Sequence, residues 1–279
     1  MAQAGPTAYD PARYWNERLG RDFSLAGAGH AGAGLAFNRW AYKVRRKVLL
    51  RALREERLCV AGARILELGF GTGFYVELWR ASGAAAVTGF DIADVAVQAA
   101  RARYAALGWR FERADVGTPL ELGEERGQHD LATAFDVLFH LVDDRSWQGA
   151  LDNLAAALKP GGCALITDKF QKKESGARHV RRRTFQQYRE ALAARGLSIR
   201  SVRPVFIFMN SPTDTSALSK VFWKGCWSLV KLPYRVGRAL GLGDLLGGAA
   251  GAALYLPELA LGRILRTGPS TKLLVAQKT

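Results

Sequence analysis

Residues Glu67 to Phe74, with the sequence ELGFGTGF, have the composition of a loop that binds a nucleotide-like ligand. The glycines at positions 69, 71 and 73 have no Cβ, so the backbone can turn tightly there and approach a ligand closely. The segment follows a predicted strand and precedes a predicted helix, which is the setting that such a loop requires. A tight strand-to-helix turn without a ligand is the structural alternative.

Two acids stand where the next strands are predicted to end. Asp91 closes the second strand, 18 positions after Gly73, and a carboxylate there can accept hydrogen bonds from both hydroxyls of a ribose. Asp115 closes the third strand, near the position of an adenine ring. Together with the glycines, these acids favour a nucleoside ligand over an empty turn.

The spacing of the glycines argues against a dinucleotide cofactor. A dinucleotide loop favours G-x-G-x-x-G, which seats a pyrophosphate at a helix N-terminus, whereas this loop reads G-x-G-x-G. Glu67, just before the loop, would repel a pyrophosphate but tolerate a positively charged cofactor. The residues therefore predict a cationic nucleoside cofactor.

Few side chains are available for proton transfer, because the chain has only four histidines. His140 and Asp136 follow the predicted fourth strand, at the carboxyl edge where open α/β sheets bind ligands. We predict that both are catalytic; packing at a helix start and a role in a turn are the alternatives. His30, in a glycine-rich segment, and His179, in a basic loop, are predicted substrate contacts, and solvated loop histidines are the alternative.

Short apolar runs alternate with helical patterns from residue 63 onwards, which predicts a mostly parallel sheet covered on both faces. The predicted strands are Ala63–Gly69, Ala86–Ile92, Arg110–Val116, Asp130–Val137, Cys163–Asp168, Leu197–Phe208 and Thr271–Gln277. The predicted helices between them are Gly73–Ser82, Asp94–Leu107 with Asp94 as N-cap, Ser146–Leu158, and Thr184–Arg195 with a capping box at Thr184 and Gln187.

Two segments lie outside this alternation. The N-terminal segment predicts a helix over Pro11–Leu19 capped by Asp10, a loop over 20–35 and a second helix over Asn38–Arg57. Residues 211–267 interrupt the pattern before the last strand and predict helices that form a lid or second lobe. Their longest apolar run, Leu245–Pro257, is interrupted by glycines and is shorter than the roughly 20 residues of a membrane span.

Composition limits the function classes. Lys and Arg number 40 and Asp and Glu 25, so the net charge is +15 and the pI is near 10.1, which suits an anionic partner or reflects compositional drift. The three cysteines form no CxxC pair, which argues against zinc and against a secreted disulfide scaffold. No apolar leader begins the chain, so we expect a cytoplasmic protein, with peripheral contact at the inner membrane surface as the alternative.

The ordered set of motifs resembles the class I S-adenosylmethionine-dependent methyltransferases of the small-molecule type. The matching segments are Glu67–Gly73, Asp91, Ala114–Val116, Phe135–His140, Leu158–Gly162 and the final strand pair. The resemblance covers about 59–210 and 268–279. It implies an α/β fold with a Rossmann-like seven-stranded, mostly parallel sheet, helices on both faces, and an antiparallel final hairpin.

The resemblance also implies which residues hold S-adenosylmethionine, with S-adenosylhomocysteine as the product. The loop glycines would approach its methionyl and ribose parts, Asp91 the ribose hydroxyls, Asp115 the adenine amino group, and Phe135 would form a wall. Tyr14 and Trp15 resemble the cap helix of small-molecule members and would cover the cofactor, or simply pack beneath the cap. The full predicted set is Glu67, Gly69, Gly71, Gly73, Asp91, Ile92, Asp115, Val116, Phe135, Tyr14 and Trp15.

The acceptor is predicted less sharply than the cofactor. We expect a small molecule, methylated at the oxygen of a natural-product-like hydroxyl or acid, enclosed by the cap and by Trp223 and Trp227 of the 211–267 insertion. A basic loop, 172–183, would attract an acidic acceptor or would simply be solvated. The predicted organisation is a cap over 1–58, a core over 59–210, a lid over 211–267 and the last strand over 268–279.

Three alternatives remain open at this point. The acceptor could be a lipid, quinone or polyprenyl compound at a membrane surface, because 217–265 mixes aromatic, leucine and basic residues as interfacial segments do. An RNA methyltransferase rests on the pI alone, and the fourth strand lacks the Asn/Asp-Pro-Pro-aromatic signature of nucleic-acid amino methylases. The last alternative is a module that binds the cofactor without transferring a methyl group. The oligomeric state is left open.

Overall fold

A computed structural model describes residues 9–214, 217–265 and 267–279. Seven of its strands form one sheet in the order β3-β2-β1-β4-β5-β9-β8, and β6 and β7 form a separate small hairpin. The strands are β1 Arg64–Leu68, β2 Ala86–Asp91, β3 Arg110–Arg113, β4 His129–Phe135, β5 Leu158–Asp168, β6 Ser175–Ala177, β7 Val180–Arg182, β8 Leu197–Pro204 and β9 Lys272–Lys278.

The sheet confirms the predicted fold class. Its first five strands are parallel, whereas β9 runs antiparallel to both β5 and β8. The chain leaves β1 toward β2 on one side and returns to β4 on the other. This reversal opens a crevice at the carboxyl ends of β1 and β4, which is where open α/β sheets bind ligands.

Helices cover both faces of the sheet, and the 211–267 segment adds two long helices before β9. The helices are α1 Pro11–Arg21, α2 Leu25–Ala28, α3 Gly34–Glu55, α4 Phe74–Ala81, α5 Asp94–Tyr104, α6 Asp144–Ala157, α7 Phe185–Ala193, α8 Ala217–Ala239 and α9 Gly243–Ile264. The Asp10 cap of α1 and the capping box of α7 form as predicted.

Alternation along the strands builds one core on each face of the sheet. On β1, Ile65 packs on the face covered by α3, α4 and α5, whereas Leu66 and Leu68 pack on the face covered by α6 and α7. On β4, Leu131 and Phe135 lie on the first of these faces. The carboxyl end of β4 therefore carries its last side chain, Phe135, toward the α3 side.

Several predicted boundaries are wrong, each for a local reason. The loop predicted over 20–35 contains α2, because Ser24 caps that helix. Helix α3 begins at Gly34, four residues before the predicted start. Asp94 is the first residue of α5 and Ala93 holds the cap position. The fifth strand begins at Leu158, since this residue already pairs with His129 before the register shifts.

The apolar run near residue 250 forms a longer helix than predicted. Its glycines do not interrupt α9, which runs unbroken for 22 residues with Pro257 inside it. Within the described residues, α9 is the one helix long and apolar enough to cross a membrane by length and composition. The argument from the length of the run was therefore wrong.

Helices α8 and α9 pack beside α3. Gly251 lies so close to Trp40 of α3 that a Cβ on this glycine would come within 2.8 Å of the Trp40 ring. Asp244 Oδ1 accepts a hydrogen bond from the Ala36 amide at 3.3 Å, which anchors the start of α9 on the start of α3. As far as the structure describes α8 and α9, their residues do not line the crevice between β1 and β4.

Candidate active site

The crevice at the carboxyl ends of β1 and β4 gathers most of the residues predicted to hold the cofactor. Its floor is the loop between β1 and α4, and its sides come from the ends of β2, β3 and β4. The predicted residues that line it are Gly69, Gly71, Asp91, Ile92, Asp115, Val116, Phe135 and Trp15. We call this crevice the cofactor cleft.

The loop after β1 needs its glycines for shape. Gly69, Gly71 and Gly73 have φ angles of 67°, 52° and 77°, in the left-handed region that side chains disfavour. A Cβ on Gly69 would lie 2.3 Å from Cγ2 of Val137. Gly69 also donates its amide to the Phe90 carbonyl, which holds the loop against β2.

Asp91 joins the glycine loop to the second strand. Its carboxylate accepts hydrogen bonds from the amides of Gly71 at 2.7 Å and Ala93 at 2.9 Å. Burial raises the pKa of this carboxyl, while the backbone hydrogen bonds oppose the shift. An ionised carboxylate offers about four acceptor positions, so Asp91 retains capacity for ribose hydroxyls.

Two of the predicted cofactor contacts lie outside the cleft lining. Glu67 is 1% exposed and accepts a hydrogen bond from the Trp79 indole, so its carboxyl lies beneath the loop. Burial raises its pKa to about 8, which leaves the carboxyl largely protonated at neutral pH. Gly73 caps α4 behind the loop. We therefore correct both to supporting positions.

The two aromatic residues of α1 have different positions. Trp15 lines the cleft and meets His140 edge to face, with ring centroids 5.0 Å apart. Tyr14 does not belong to the cleft lining; it stacks on His179 at 5.6 Å, and its hydroxyl accepts a hydrogen bond from Arg18. Direct cover of the cofactor thus fits Trp15, because only Trp15 of the two lines the cleft.

A second cavity adjoins the cofactor cleft. The two share Trp15, Ala28, Tyr42, Asp136 and His140, so these residues form the boundary between them. We call this second space the acceptor cavity. Its further lining includes His30, His179, Lys169, Arg182, Phe206 and Asn210.

His140 is held in one orientation at that boundary. Its Nδ1 lies 3.0 Å from the His179 carbonyl, which can only accept, so Nδ1 carries the hydrogen and Nε2 is left with a lone pair. Burial lowers the pKa of His140 to about 4. The imidazole is therefore neutral at pH 7 and able to accept a proton.

Asp136 is ion-paired, which adds a role to the one predicted for it. Its carboxylate contacts the guanidinium of Arg45, a half-buried residue of α3. Burial opposes the charge on Arg45, yet the attraction of Asp136 leaves the pKa of Arg45 above its ordinary value. Asp136 also has a φ of 59° and donates its amide to Thr167 Oγ1 at 2.9 Å. Asp136 lines both cavities, so its catalytic role stays a prediction, and the ion pair adds a positioning role as the alternative.

Lys169 and Arg45 are site residues that the sequence analysis missed. Lys169 follows β5 at the same carboxyl edge, a placement that could have singled it out. It is 7% exposed and donates to Ser270 Oγ and Thr271 Oγ1. Burial lowers its pKa to about 7. Arg45 offered no signal, because it is one of many cations along α3.

The remaining predicted substrate residues are divided between the cavity and its surroundings. His30 and His179 line the acceptor cavity. Trp227 lies behind His30, with ring centroids 5.5 Å apart, and Trp223 packs on Phe208 at 5.7 Å. Neither tryptophan belongs to the lining of the two cavities, so a wall role for them is corrected to outer support.

The basic loop 172–183 contributes one cation to the cavity. Arg182 lines it, and its Nε is buried without a hydrogen-bond partner among the described residues. Arg181 pairs with Glu174 and Asp144. Arg183 is 1% exposed and donates to the carbonyls of 141 and 143, so it fixes the loop.

Comparisons with known proteins agree with this geometry. Residues 65–162 match the family described as a methyltransferase domain. A Bordetella avium protein named ubiquinone biosynthesis O-methyltransferase is 35% identical over 101 residues, 36% of this chain and 40% of that protein. The protein of the same name from Pseudomonas aeruginosa is 31% identical over 113 residues, 40% and 47% of the two chains. The match spans less than half the length of either relative.

The fold likeness extends further than the sequence match. The Synechocystis magnesium protoporphyrin IX methyltransferase, solved with bound S-adenosylmethionine, has a TM-score of 0.55 at 14% identity and covers 99% of this chain and 100% of its own. An S-adenosylmethionine-dependent methyltransferase from Mesorhizobium loti gives 0.50 at 20% identity, over 82% and 96%.

Fold, cleft and family match agree on the cofactor. The cleft has two carboxylates at the ends of β2 and β3 and backbone glycines on its floor. Among the described residues, no Lys or Arg lines it, so the cleft suits a positively charged nucleoside. Residues 65–162 match a methyltransferase domain, and the whole chain has the fold of solved S-adenosylmethionine-dependent methyltransferases, whose cofactor the cleft suits.

Proposed function

We propose that the protein transfers the methyl group of S-adenosylmethionine to an oxygen of a small acceptor that carries an acidic group. The observation that carries this proposal is the shared boundary of the two cavities at His140, with Lys169 and Arg182 on the far side. A hydroxyl near His140 and an anionic group near the two cations would fill the acceptor cavity.

Positioning supplies much of the catalysis in this proposal. The cofactor would supply a sulfonium methyl group: the acceptor oxygen would attack the methyl carbon in line with the S–C bond, and that bond would break to release S-adenosylhomocysteine. Trp15 and the chain near Ala28 close the boundary, and Arg18 donates to the carbonyls of Gly27 and Gly29, which fixes that segment. Water is thereby kept from the path between the two ligands.

His140 would accept the proton that the hydroxyl loses. A neutral hydroxyl that gains a methyl becomes strongly acidic, so an imidazole whose pKa is about 4 is still basic enough to take the proton at Nε2. Burial keeps the ring unprotonated and ready at neutral pH. Asp136 holds Arg45 beside the boundary and does not move a proton in this scheme.

Product analysis with a panel of acceptors tests the proposal. Purified protein would be incubated with methyl-labelled S-adenosylmethionine and matched phenols, hydroxy acids and amines, each with and without a carboxylate. We expect label in O-methyl products of the acidic hydroxyl compounds. Label only in amines, or release of S-adenosylhomocysteine that no acceptor accelerates, would contradict it.

A second candidate acceptor is a quinone, polyprenyl or lipid compound at a membrane. Two observations favour it: the partial likeness to proteins named ubiquinone biosynthesis O-methyltransferase, and the apolar residues exposed on α8 and α9. The same panel distinguishes the two candidates when it includes acceptors embedded in vesicles. Exclusive turnover of embedded acceptors would favour the second. A peripheral, otherwise cytoplasmic location would follow from it.

A further inference from the structure

Exposed apolar side chains are concentrated on the α8–α9 pair. Of thirteen large hydrophobic residues exposed among those described, ten lie between 221 and 264. They are Val221, Phe222, Leu229, Leu232, Val236, Leu240, Leu242, Leu245, Leu256 and Ile264. Such a concentration of exposed apolar side chains on two adjacent helices is typical of a contact with a partner or a membrane.

The outer side of α9 is continuously apolar. Leu245 and Leu256 are 67% and 70% exposed, and the exposed residues between 245 and 260 are leucine, alanine or proline. At a rise of 1.5 Å per residue this stripe is about 22 Å long. Cations resume only at Arg263, which is exposed at the end of the helix.

The inner side of α9 packs against the rest of the protein. Gly247 and Gly251 pack against α3, and Glu258 is 1% exposed. The Glu258 carboxylate accepts hydrogen bonds from the backbone amides of Ile207 and Phe208. A helix that crossed a bilayer would have to break these contacts, whereas a helix lying along the surface would keep them.

Helix α8, which packs against α9, carries exposed cations. Helix α8 contains no Asp or Glu, and its residues Lys224, Arg235 and Arg238 are exposed beside exposed Leu229 and Leu232. Long basic side chains can lay their methylenes on an apolar surface while their charges reach the phosphate layer. Such a pattern is typical of helices that lie in the plane of an interface.

A basic groove lies where α3 and the end of α9 meet. It is lined by Lys47, Arg51, Arg54, Arg263 and the single acid Glu55, along with Leu50 and Leu259. Glu55 pairs with Arg203 of β8 through one carboxylate oxygen and lies 3.9 Å from Arg51 Nε through the other, so the groove keeps an excess of cations. Arg51 donates Nη2 to the Gly262 carbonyl, and its Nε is buried without a hydrogen-bond partner among the described residues. We call this the basic groove; its charge suits a phosphate group.

We propose that α8 and α9 bind the surface of an anionic phospholipid membrane, with the apolar stripe in the acyl boundary and the basic groove on a lipid phosphate. Charge complementarity selects this occupant, because cations lie on α8, at the end of α9 and in the groove. The proposal goes beyond the methyl transfer, since it holds whichever acceptor the cavity takes.

Vesicle co-sedimentation of the full chain tests the proposal. The probes are vesicles of phosphatidylcholine alone and of phosphatidylcholine with an equal part of phosphatidylglycerol. We expect binding to the anionic vesicles that weakens at least tenfold between low salt and about 0.3 M salt, because the groove and α8 act through screened charges. Binding that is absent, or equal on both vesicles, would overturn the proposal.

Variants separate the apolar stripe from the groove. Leu245→Glu with Leu256→Glu should reduce binding to anionic vesicles at least tenfold, and Lys47→Glu with Arg54→Glu should do the same. Leu107→Glu with Phe185→Glu is the matched control, because both residues are exposed outside α8 and α9, and it should bind as wild type. Equal loss in the control would contradict the assignment.

Two further measurements keep the test interpretable. Thermal unfolding and S-adenosylhomocysteine affinity should be unchanged in every variant, since none of these residues lines the cofactor cleft. Sedimentation equilibrium tests whether a second copy of the chain, and not a membrane, covers the apolar surface of α8 and α9. A wild-type dimer that Leu256→Glu dissociates, with no vesicle binding, would overturn the membrane proposal. Turnover of soluble acceptors is measured separately, so failure here leaves the proposed methyl transfer untouched.

Discussion

The cofactor cleft and the acceptor cavity lie side by side but are built differently. The floor and one side of the cleft are made from the β1–α4 loop and from acids at the ends of β2 and β3, although Trp15 of α1 and Tyr42 of α3 also line it. The acceptor cavity takes long side chains from α3, from Lys169 just after β5, from the β6–β7 hairpin and from the segment after β8. The first is fixed by local backbone geometry, and the second by tertiary packing of distant elements.

This difference has a chemical consequence. A site made of backbone changes little when surrounding side chains change, so it suits a constant cofactor. A site made of distant side chains can be altered residue by residue, so it suits a variable acceptor. The boundary residue His140 belongs to both, and its orientation depends on a carbonyl from the hairpin region.

The largest effect is expected where backbone geometry is broken. Gly69→Ala should weaken S-adenosylhomocysteine binding about 100-fold, because the new Cβ would meet Val137 2.3 Å away at a φ of 67°. Isothermal titration measures the affinity. Gly62→Ala is the matched control, since Gly62 has a φ of 75° with open space around its Cβ position.

For the control Gly62→Ala, we expect the free energy of unfolding to fall by about 1 kcal/mol and the cofactor affinity to stay at the wild-type value. If both variants bind the cofactor normally, the cleft does not depend on the shape of its backbone, and the contrast between the two sites fails.

A smaller effect is expected for a cavity side chain. Lys169→Met should raise the KM for an acidic acceptor about tenfold while the affinity for S-adenosylhomocysteine stays unchanged. Burial lowers the pKa of Lys169 to about 7, so its charge is present below that pH and lost above it. The wild-type KM should therefore rise as the pH increases through about 7.

Steady-state kinetics across pH 6 to 8 would measure this dependence. The Met variant should have a KM that stays level over the same range. A pH dependence that persists in the variant would assign the titration to another group and remove Lys169 from acceptor binding.

The smallest effect on the site is expected from the outer helices. Glu258→Gln should lower the free energy of unfolding by about 1–2 kcal/mol, because the amides of Ile207 and Phe208 bond to different carboxylate oxygens and the amide nitrogen of Gln cannot accept one of these bonds. Cofactor affinity should not change. Chemical denaturation and titration measure the two quantities, and a large loss of affinity would show that α9 supports the cleft directly.

The sequence predicted most residues of the cofactor cleft, because these residues stand in short local motifs at the ends of strands. The β1–α4 loop, Asp91 and Asp115 stand at strand ends that apolar runs predict, and strand ends of a parallel sheet share one edge. Glu67 was misplaced because a spacing does not show which way a side chain points; on β1 it points beneath the loop to Trp79.

The acceptor cavity was less accessible to sequence reasoning. Arg45 and Asp136 are 91 positions apart, and no local pattern pairs them. The sequence analysis treated the glycines in Leu245–Pro257 as interruptions of the apolar run. In the structure the helix continues through them, and Gly251 allows close packing on Trp40. Packing between distant elements decided both cases.

Turnover and cofactor affinity of His140→Ala, measured on one preparation, test the central claim that the two cavities meet at His140. We predict a kcat at least tenfold lower with a dissociation constant for S-adenosylhomocysteine that changes less than about twofold, because the ring accepts the acceptor's proton and only borders the cofactor cleft. An unchanged kcat would remove His140 from the mechanism and contradict the account.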